Sequence, residues 1–191
     1  MAEERNLHMK LAGAEVLGLV AIGWVTFVVA MYGLKVFDLA AGAGTIVGIL
    51  PWAGGALLLC TLVSFINENM LLTAVFGPLA FFFIAFPSFI LAGPAAMYAT
   101  IFIGIVLLLD ALVAFMQPVR ILPILLLVAA ILFFLLGAWQ EGGMAKADTS
   151  DMRMLVGVFS LLTFILAIYI AAAIGILTVK GKMLLPLLVK K

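Results

Sequence analysis

The fold of this chain is decided by residues 69–109, which read NMLLTAVFGPLAFFFIAFPSFILAGPAAMYATIFIGIVLLL and contain no charged residue. As one helix, this stretch would extend about 60 Å at about 1.5 Å per residue. That length is roughly twice the hydrocarbon thickness of a bilayer. The stretch must therefore fold back once. Ala92-Gly93-Pro94 is the predicted turn, because proline removes a backbone donor and glycine permits the reversal.

The composition places the rest of the chain in lipid as well. Of its 191 residues, 68% are hydrophobic and 10% are charged, far from the balance of a soluble domain. Lipid offers the backbone no hydrogen-bond partner, and the uncharged runs are far longer than barrel strands, so each crossing is predicted to be a helix. Six spans are predicted, near residues 13–34, 43–66, 70–91, 95–116, 120–140 and 153–179.

The connections between these spans are short. The longest polar stretch, residues 140–151, is too short to fold by itself, so residues 1–191 are predicted to form a single membrane domain. The fold class is therefore an all-α polytopic bundle of six transmembrane helices, with the lipid bilayer as its first partner.

The distribution of basic residues predicts the orientation. An even number of spans puts both termini on one side, together with seven of the Lys and Arg residues, against three on the other. The seven are Arg5, Lys10, Arg120, Lys180, Lys182, Lys190 and Lys191, and the three are Lys35, Lys146 and Arg153. Both termini are therefore predicted to be cytoplasmic, in a multi-pass protein of the cell (plasma or inner) membrane. A net charge of +1 does not indicate a nucleic-acid partner.

The sequence offers little for catalysis. It has one histidine, His8, and one cysteine, Cys60, so no metal-binding cluster is expected. The serines of the spans have no intramembrane His or Lys to activate them, and no glycine-rich loop is followed by the Lys-Ser/Thr pair of a phosphate site. We therefore expect neither an enzyme nor a cofactor.

Asp110 is the main ionisable candidate within the spans and lies about six residues, roughly 9 Å, inside the cytoplasmic end of span 4. An ionisable group inside a bilayer is a functional candidate because burying it costs at least about 2.5 kcal/mol near the helix centre. The functional interpretation is that Asp110 titrates with transport or pairs with a neighbouring helix. The structural alternative is a packing carboxylate that reaches Arg120 or the headgroups. Glu15 lies in the first turn of span 1, where the helix dipole and nearby water stabilise its charge.

Several span ends resemble the acetate uptake transporter family, which includes the bacterial succinate-acetate permeases. The likeness runs the whole length and is strongest in Ala167-Ile168-Tyr169-Ile170-Ala171, followed by Gly181 and Leu185-Pro186. Leu17-Gly18-Leu19 resembles the end of the family's N-P-x-P-L-G-L signature, and Leu72-Thr73-Ala74 resembles the core of its F-G-L-T-A-F motif. The resemblance implies three helical hairpins, a pore in each protomer, and a homo-oligomer that is often hexameric in this family.

The chain also departs from the family pattern. Gly13, Ala14 and Val16 stand where the signature has its asparagine and two prolines. The resemblance implies that Ile22, Pro78 and Ala129 line the pore, at the positions where the family narrows it with Phe, Tyr and Leu. Such a pore would be wider and more apolar, which suits a neutral or protonated solute better than an anion.

Two functions follow from these observations. The first is a transporter or channel for a small solute, in the simplest case acetate or another short monocarboxylate that moves with a proton. The second is a non-transporting structural or accessory subunit, which keeps the scaffold within a homo-oligomer or a larger membrane complex. A transporter needs a continuous path with a few polar groups, whereas a structural subunit should close its centre with side chains.

Overall fold

The computed structural model describes residues 13–89, 94–117, 119–140, 152–181 and 185–186, apart from the side chains of residues 39–43 and 89. Six α-helices account for nearly all of these residues. They are α1 (Glu15–Gly33), α2 (Leu39–Ile66), α3 (Met70–Phe89), α4 (Pro94–Ala114), α5 (Ile121–Gln140) and α6 (Met152–Lys180).

The predicted all-α fold with six spans is confirmed. All six helices are long and apolar enough to cross a bilayer, so the chain is a multi-pass membrane protein. The largest difference from the predicted bounds is at α2, which begins at Leu39 rather than near residue 43. Most of the predicted reversal at residues 92–94 lies outside the described residues, but Pro94 opens α4. Proline suits a first helical position because its missing N–H needs no partner there.

The helices close into a ring. Each packs against its neighbours in sequence, and α1 packs against α6 to complete the circle. Three pairs have the most extensive contacts: α2 with α3, α4 with α5, and α1 with α6. Two of these pairs are sequential hairpins, whereas the third joins the first helix to the last. The ring therefore encloses a central region that all six helices can reach.

Small residues allow close approach both between neighbouring helices and across the ring. A Cβ added at Gly18 would lie 2.7 Å from the Phe76 ring, and one added at Gly54 would lie 2.9 Å from the carbonyl oxygen of Ala80. Gly44 and Gly48 differ, because a Cβ at either position would meet no described atom within 4 Å. These two glycines therefore make no close helix contact within the described part of this chain.

The first turn of α6 carries a buried cation, since Arg153 is 4% exposed. Its Nε and Nη2 donate to the carbonyl oxygen of Tyr32 at 3.0 and 2.8 Å, and Nη2 also donates to that of Phe37 at 2.9 Å. The guanidinium also lies over the Tyr32 ring, 4.2 Å from its centroid. Because the last carbonyls of a helix lack partners and carry partial negative charge, Arg153 caps the end of α1.

Candidate solute pathway

A cavity of about 320 Å³, here called the first cavity, lies inside the ring. It is lined by the N-terminal halves of α1, α3 and α5, by the C-terminal half of α6 and by Leu107 of α4. Most of these side chains are leucine, isoleucine, valine or phenylalanine. Its volume is at the lower end of the range for small-ligand sites, which are concave and mostly apolar with a few polar groups.

A smaller cavity of about 80 Å³, the second cavity, lies toward the other side of the bundle. It is lined by the C-terminal parts of α1, α3 and α5 and by residues nearer the N-terminal ends of α2 and α4. Because successive helices run in opposite directions, these segments all belong to the opposite half of the membrane from the first cavity. The two cavities are therefore arranged end to end.

Four residues line both cavities and so form the wall between them: Thr26, Phe83, Leu132 and Phe133. We call this set the constriction. Phe82 supports it, because its ring meets that of Phe133 edge-on with the centroids 5.4 Å apart. Thr26 is therefore the polar member of a barrier that is otherwise apolar.

The threonines of the pathway make hydrogen bonds along their own helices. The Thr26 hydroxyl is 2.9 Å from the carbonyl oxygen of Ile22, and the Thr163 hydroxyl in the first cavity donates to that of Phe159 at 2.8 Å. Each hydroxyl hydrogen is therefore committed to the backbone, which leaves an oxygen lone pair for other partners.

The second cavity contains a buried polar pair from α4 and α5. The Thr100 hydroxyl lies 2.7 Å from the carbonyl oxygen of Ala96 and 2.9 Å from Oε1 of Gln140. Since a hydroxyl has one hydrogen, these two acceptors share it. The amide group of Gln140 therefore supplies the donor capacity at this site.

The end of the first cavity that lies away from the constriction is more polar than the rest. Glu15, Asn69 and Gln117 line it, and Asn69 Oδ1 accepts a hydrogen bond from the Leu72 N–H at 3.3 Å, which caps the start of α3. Among the described residues that line the two cavities, Glu15 is the charged one. The charge at this opening is therefore negative.

Two of the three residues expected to line a pore lie at a cavity, and the third does not. Ile22 and Ala129 line the first cavity, whereas Pro78 lines neither of the two cavities. The positions of α3 that face the first cavity include Leu72, Val75 and Leu79, at helical spacing, and Pro78 lies outside that series.

Thr26 and Phe83 were missed in the sequence analysis. Thr26 follows Ile22 by four residues and so shares its helix face, which could have indicated that Thr26 belongs to the same wall. No comparable signal separates Phe83 from the adjacent Phe81 and Phe82.

Asp110 lies on the buried face of α4 and is 8% exposed. Its Oδ2 has no hydrogen-bond partner within the described part of the chain. Arg120, the expected partner, instead donates to the carbonyl oxygen of Phe115 at 2.9 Å. Asp110 lines neither cavity, but Leu107, one helical turn earlier, lines the first.

Six apolar helices around two cavities, which the constriction separates, define a polytopic membrane protein with open space on both sides of a mainly apolar wall. No protein-family model matches the sequence, and no curated protein matches it either. A solved structure does match: the bacterial acetate channel SatP, with a TM-score of 0.79, 20% sequence identity and coverage of 93% of this chain and 99% of that one. The chain thus has the SatP fold, consistent with its sequence resemblance to the acetate uptake transporter family.

Proposed function

We propose that this protein is a membrane channel or transporter for a small solute, and that the solute is acetate or another short monocarboxylate that crosses with a proton. The observation that carries this proposal is the end-to-end arrangement of the two cavities inside the ring. The fold shared with the acetate channel SatP supports it. On this proposal the chain conducts a solute and is not an enzyme.

The size of the first cavity supports transport over a purely structural role. A structural subunit should fill its centre with side chains, since an empty cavity forgoes packing contacts. This bundle instead leaves about 320 Å³ open between α1, α3, α5 and α6. Its walls are mainly apolar, which suits the methyl end of a short acid.

The charges of the pathway favour passage of the neutral acid. Helix N-termini attract anions within about their first turn, and those of α1, α3 and α5 lie at the end of the first cavity away from the constriction. A carboxylate anion at the constriction would therefore need a compensating positive charge. The described residues that line the two cavities include Glu15 and no Lys, Arg or His. Arg153 is engaged at the end of α1 and lines neither cavity. Protonation before entry would remove the cost of moving an anion past Glu15.

We further propose Asp110 as the group that titrates with transport, because it is buried and Oδ2 is without a described partner. The neutral variant Asp110→Asn should assemble normally and change the rate of acetate uptake and its dependence on pH, whereas the driving force of a proton gradient, which acts through the undissociated acid, should remain. Glu15→Gln is the matched variant, with the same change made at the opening of the first cavity. Unchanged assembly together with unchanged acetate flux and unchanged pH dependence in Asp110→Asn would contradict this role.

The membrane and the assembly are also proposals. We place the protein in the plasma (inner) membrane with both termini in the cytoplasm, and we propose a homo-oligomer, with a hexamer as the specific expectation from the family resemblance. The outward glycines Gly44, Gly48 and Gly55 offer a face on α2 with open space beside it, which would admit a second copy. Native mass spectrometry of protein released from lipid nanodiscs would count the subunits.

Uptake of labelled acetate into liposomes that contain the purified protein tests the function. Uptake above that of empty liposomes, increased by an inward proton gradient, is the expected result. No protein-dependent uptake of acetate, propionate or urea would contradict the proposal and favour the structural subunit.

A further inference from the structure

The side chains of the constriction determine which polar groups a passing solute can contact. The inference drawn from them rests on the proposed function. Three of the four residues, Phe83, Leu132 and Phe133, offer no polar side-chain atom to a passing solute. Thr26 is the fourth, and it is 6% exposed. A solute that crosses the barrier therefore loses its water and meets a single side-chain hydroxyl.

The hydrogen of that hydroxyl is already used. Thr26 Oγ1 lies 2.9 Å from the carbonyl oxygen of Ile22 and 3.2 Å from that of Gly23, both in the preceding turn of α1. A hydroxyl has one hydrogen and two lone pairs, so the group that faces the pathway is an acceptor. The backbone N–H groups around it belong to α-helices and are likewise occupied.

We propose that the constriction selects solutes that carry an O–H or N–H donor, and that Thr26 is the specificity-determining residue that accepts their hydrogen bond. The class includes undissociated short carboxylic acids, small amides and small alcohols. A carboxylate, which is an acceptor only, meets no side-chain donor there and pays the cost of an unsatisfied polar group.

The polar groups on either side are consistent with this selection. Thr163, on the first-cavity side, also has its hydrogen committed to its own helix and so presents an acceptor. Glu15 at the opening disfavours anions and accepts hydrogen bonds. In the second cavity, Gln140 can donate a hydrogen bond through its amide. The carbonyl oxygen of a solute therefore finds a partner there after the solute's own O–H or N–H group has passed Thr26.

Three isomers of formula C₃H₇NO separate donor capacity from size and charge. Propionamide has two N–H donors, N-methylacetamide has one and N,N-dimethylformamide has none, and all three are neutral. The measurement is the protein-dependent permeability of liposomes to each isomer, corrected for empty liposomes. The wild-type protein should conduct propionamide best and N,N-dimethylformamide least.

Substitution at Thr26 assigns the discrimination to its hydroxyl. Thr26→Val keeps the side-chain shape and should lower the propionamide permeability about fivefold, the change expected for one lost hydrogen bond. Thr26→Ser should retain the order of the three isomers. Thr61→Val is the matched control, because Thr61 donates to the carbonyl oxygen of Leu57 in the same way but lines neither cavity.

The outcomes separate this inference from the proposed function. Protein-dependent flux with equal permeability to propionamide and N,N-dimethylformamide would overturn the donor selection and leave the channel intact. Discrimination that survives in Thr26→Val would remove Thr26 from the role. Absence of protein-dependent flux for all three isomers and for acetate would overturn both.

Discussion

Gly33 at the end of α1 packs backbone to backbone against Gly157 in the first turns of α6. A Cβ added at Gly157 would lie 2.7 Å from the carbonyl carbon of Gly33 and 2.8 Å from the nitrogen of Leu34. Because these neighbours are backbone atoms, they cannot move aside as a side chain could. This contact lies one helical turn from Arg153 and holds the first helix to the last, which closes the ring.

We expect Gly157→Ala to destabilise the protein by about 1–3 kcal/mol, since the added methyl group forces the two backbones apart. The control is Gly175→Ala on the same helix, where a Cβ meets no described atom within 4 Å and alanine should be neutral or slightly stabilising. Thermal unfolding in detergent compares the two variants. Equal midpoints would contradict the close contact.

Removal of the Arg153 cap should also destabilise the bundle. Arg153→Met leaves the carbonyl oxygens of Tyr32 and Phe37 without their guanidinium donor, at an expected cost of about 1–3 kcal/mol. Arg120→Met is the control, because Arg120 donates to Phe115 at an exposed site and its loss should cost less than about 0.5 kcal/mol. The two variants are compared by chemical unfolding. Equal losses of unfolding free energy would show that Arg153 is not a cap.

The size limit of the pathway should be set by Phe83. Phe83→Leu shortens a side chain of the constriction, so the ratio of butyrate to acetate uptake should rise severalfold. The same change at Phe81, which is 66% exposed on the outside of α3, should leave the ratio unchanged. A ratio that responds equally to both substitutions would place the selectivity elsewhere.

The orientation can be tested by labelling in intact cells or right-side-out vesicles. Cys60 is buried, so a membrane-impermeant maleimide should report introduced cysteines. Val36→Cys, between α1 and α2, should react from outside, and Met116→Cys, after α4, should react only after the membrane is opened; both positions are well exposed. The reverse pattern would place the termini outside.

Much of the fold could be predicted from the sequence, because in lipid the length of an uncharged run fixes the number of crossings. The length of the uncharged run at residues 69–109 was by itself enough to predict two helices. The ring could not be predicted in the same way, because Gly33 and Gly157 lie far apart in sequence and nothing local pairs them. The cap formed by Arg153 was missed for the same reason, since its partners are on another helix.

The candidate site was less predictable than the fold. Ile22 and Ala129 were expected at the pore from the family resemblance, and both line the first cavity. Pro78 was expected there too, but the neighbouring residue Leu79 lines the cavity instead. A shift of one residue along a helix turns the side chain by about 100°, so Pro78 lies on a different face. In spans that are apolar on every side, hydrophobic periodicity does not distinguish the face toward the cavity from the face toward lipid.

The central claim is that a small solute crosses through the interior of the helical ring, and a plug in the first cavity tests it most directly. Ala129→Trp places an indole in that cavity, whereas Ala138→Trp places one on an exposed position of the same helix. Labelled acetate uptake into liposomes, with folded protein quantified for each variant, should be abolished by Ala129→Trp and unchanged by Ala138→Trp. Equal uptake by the two variants would mean that the solute does not pass through this cavity.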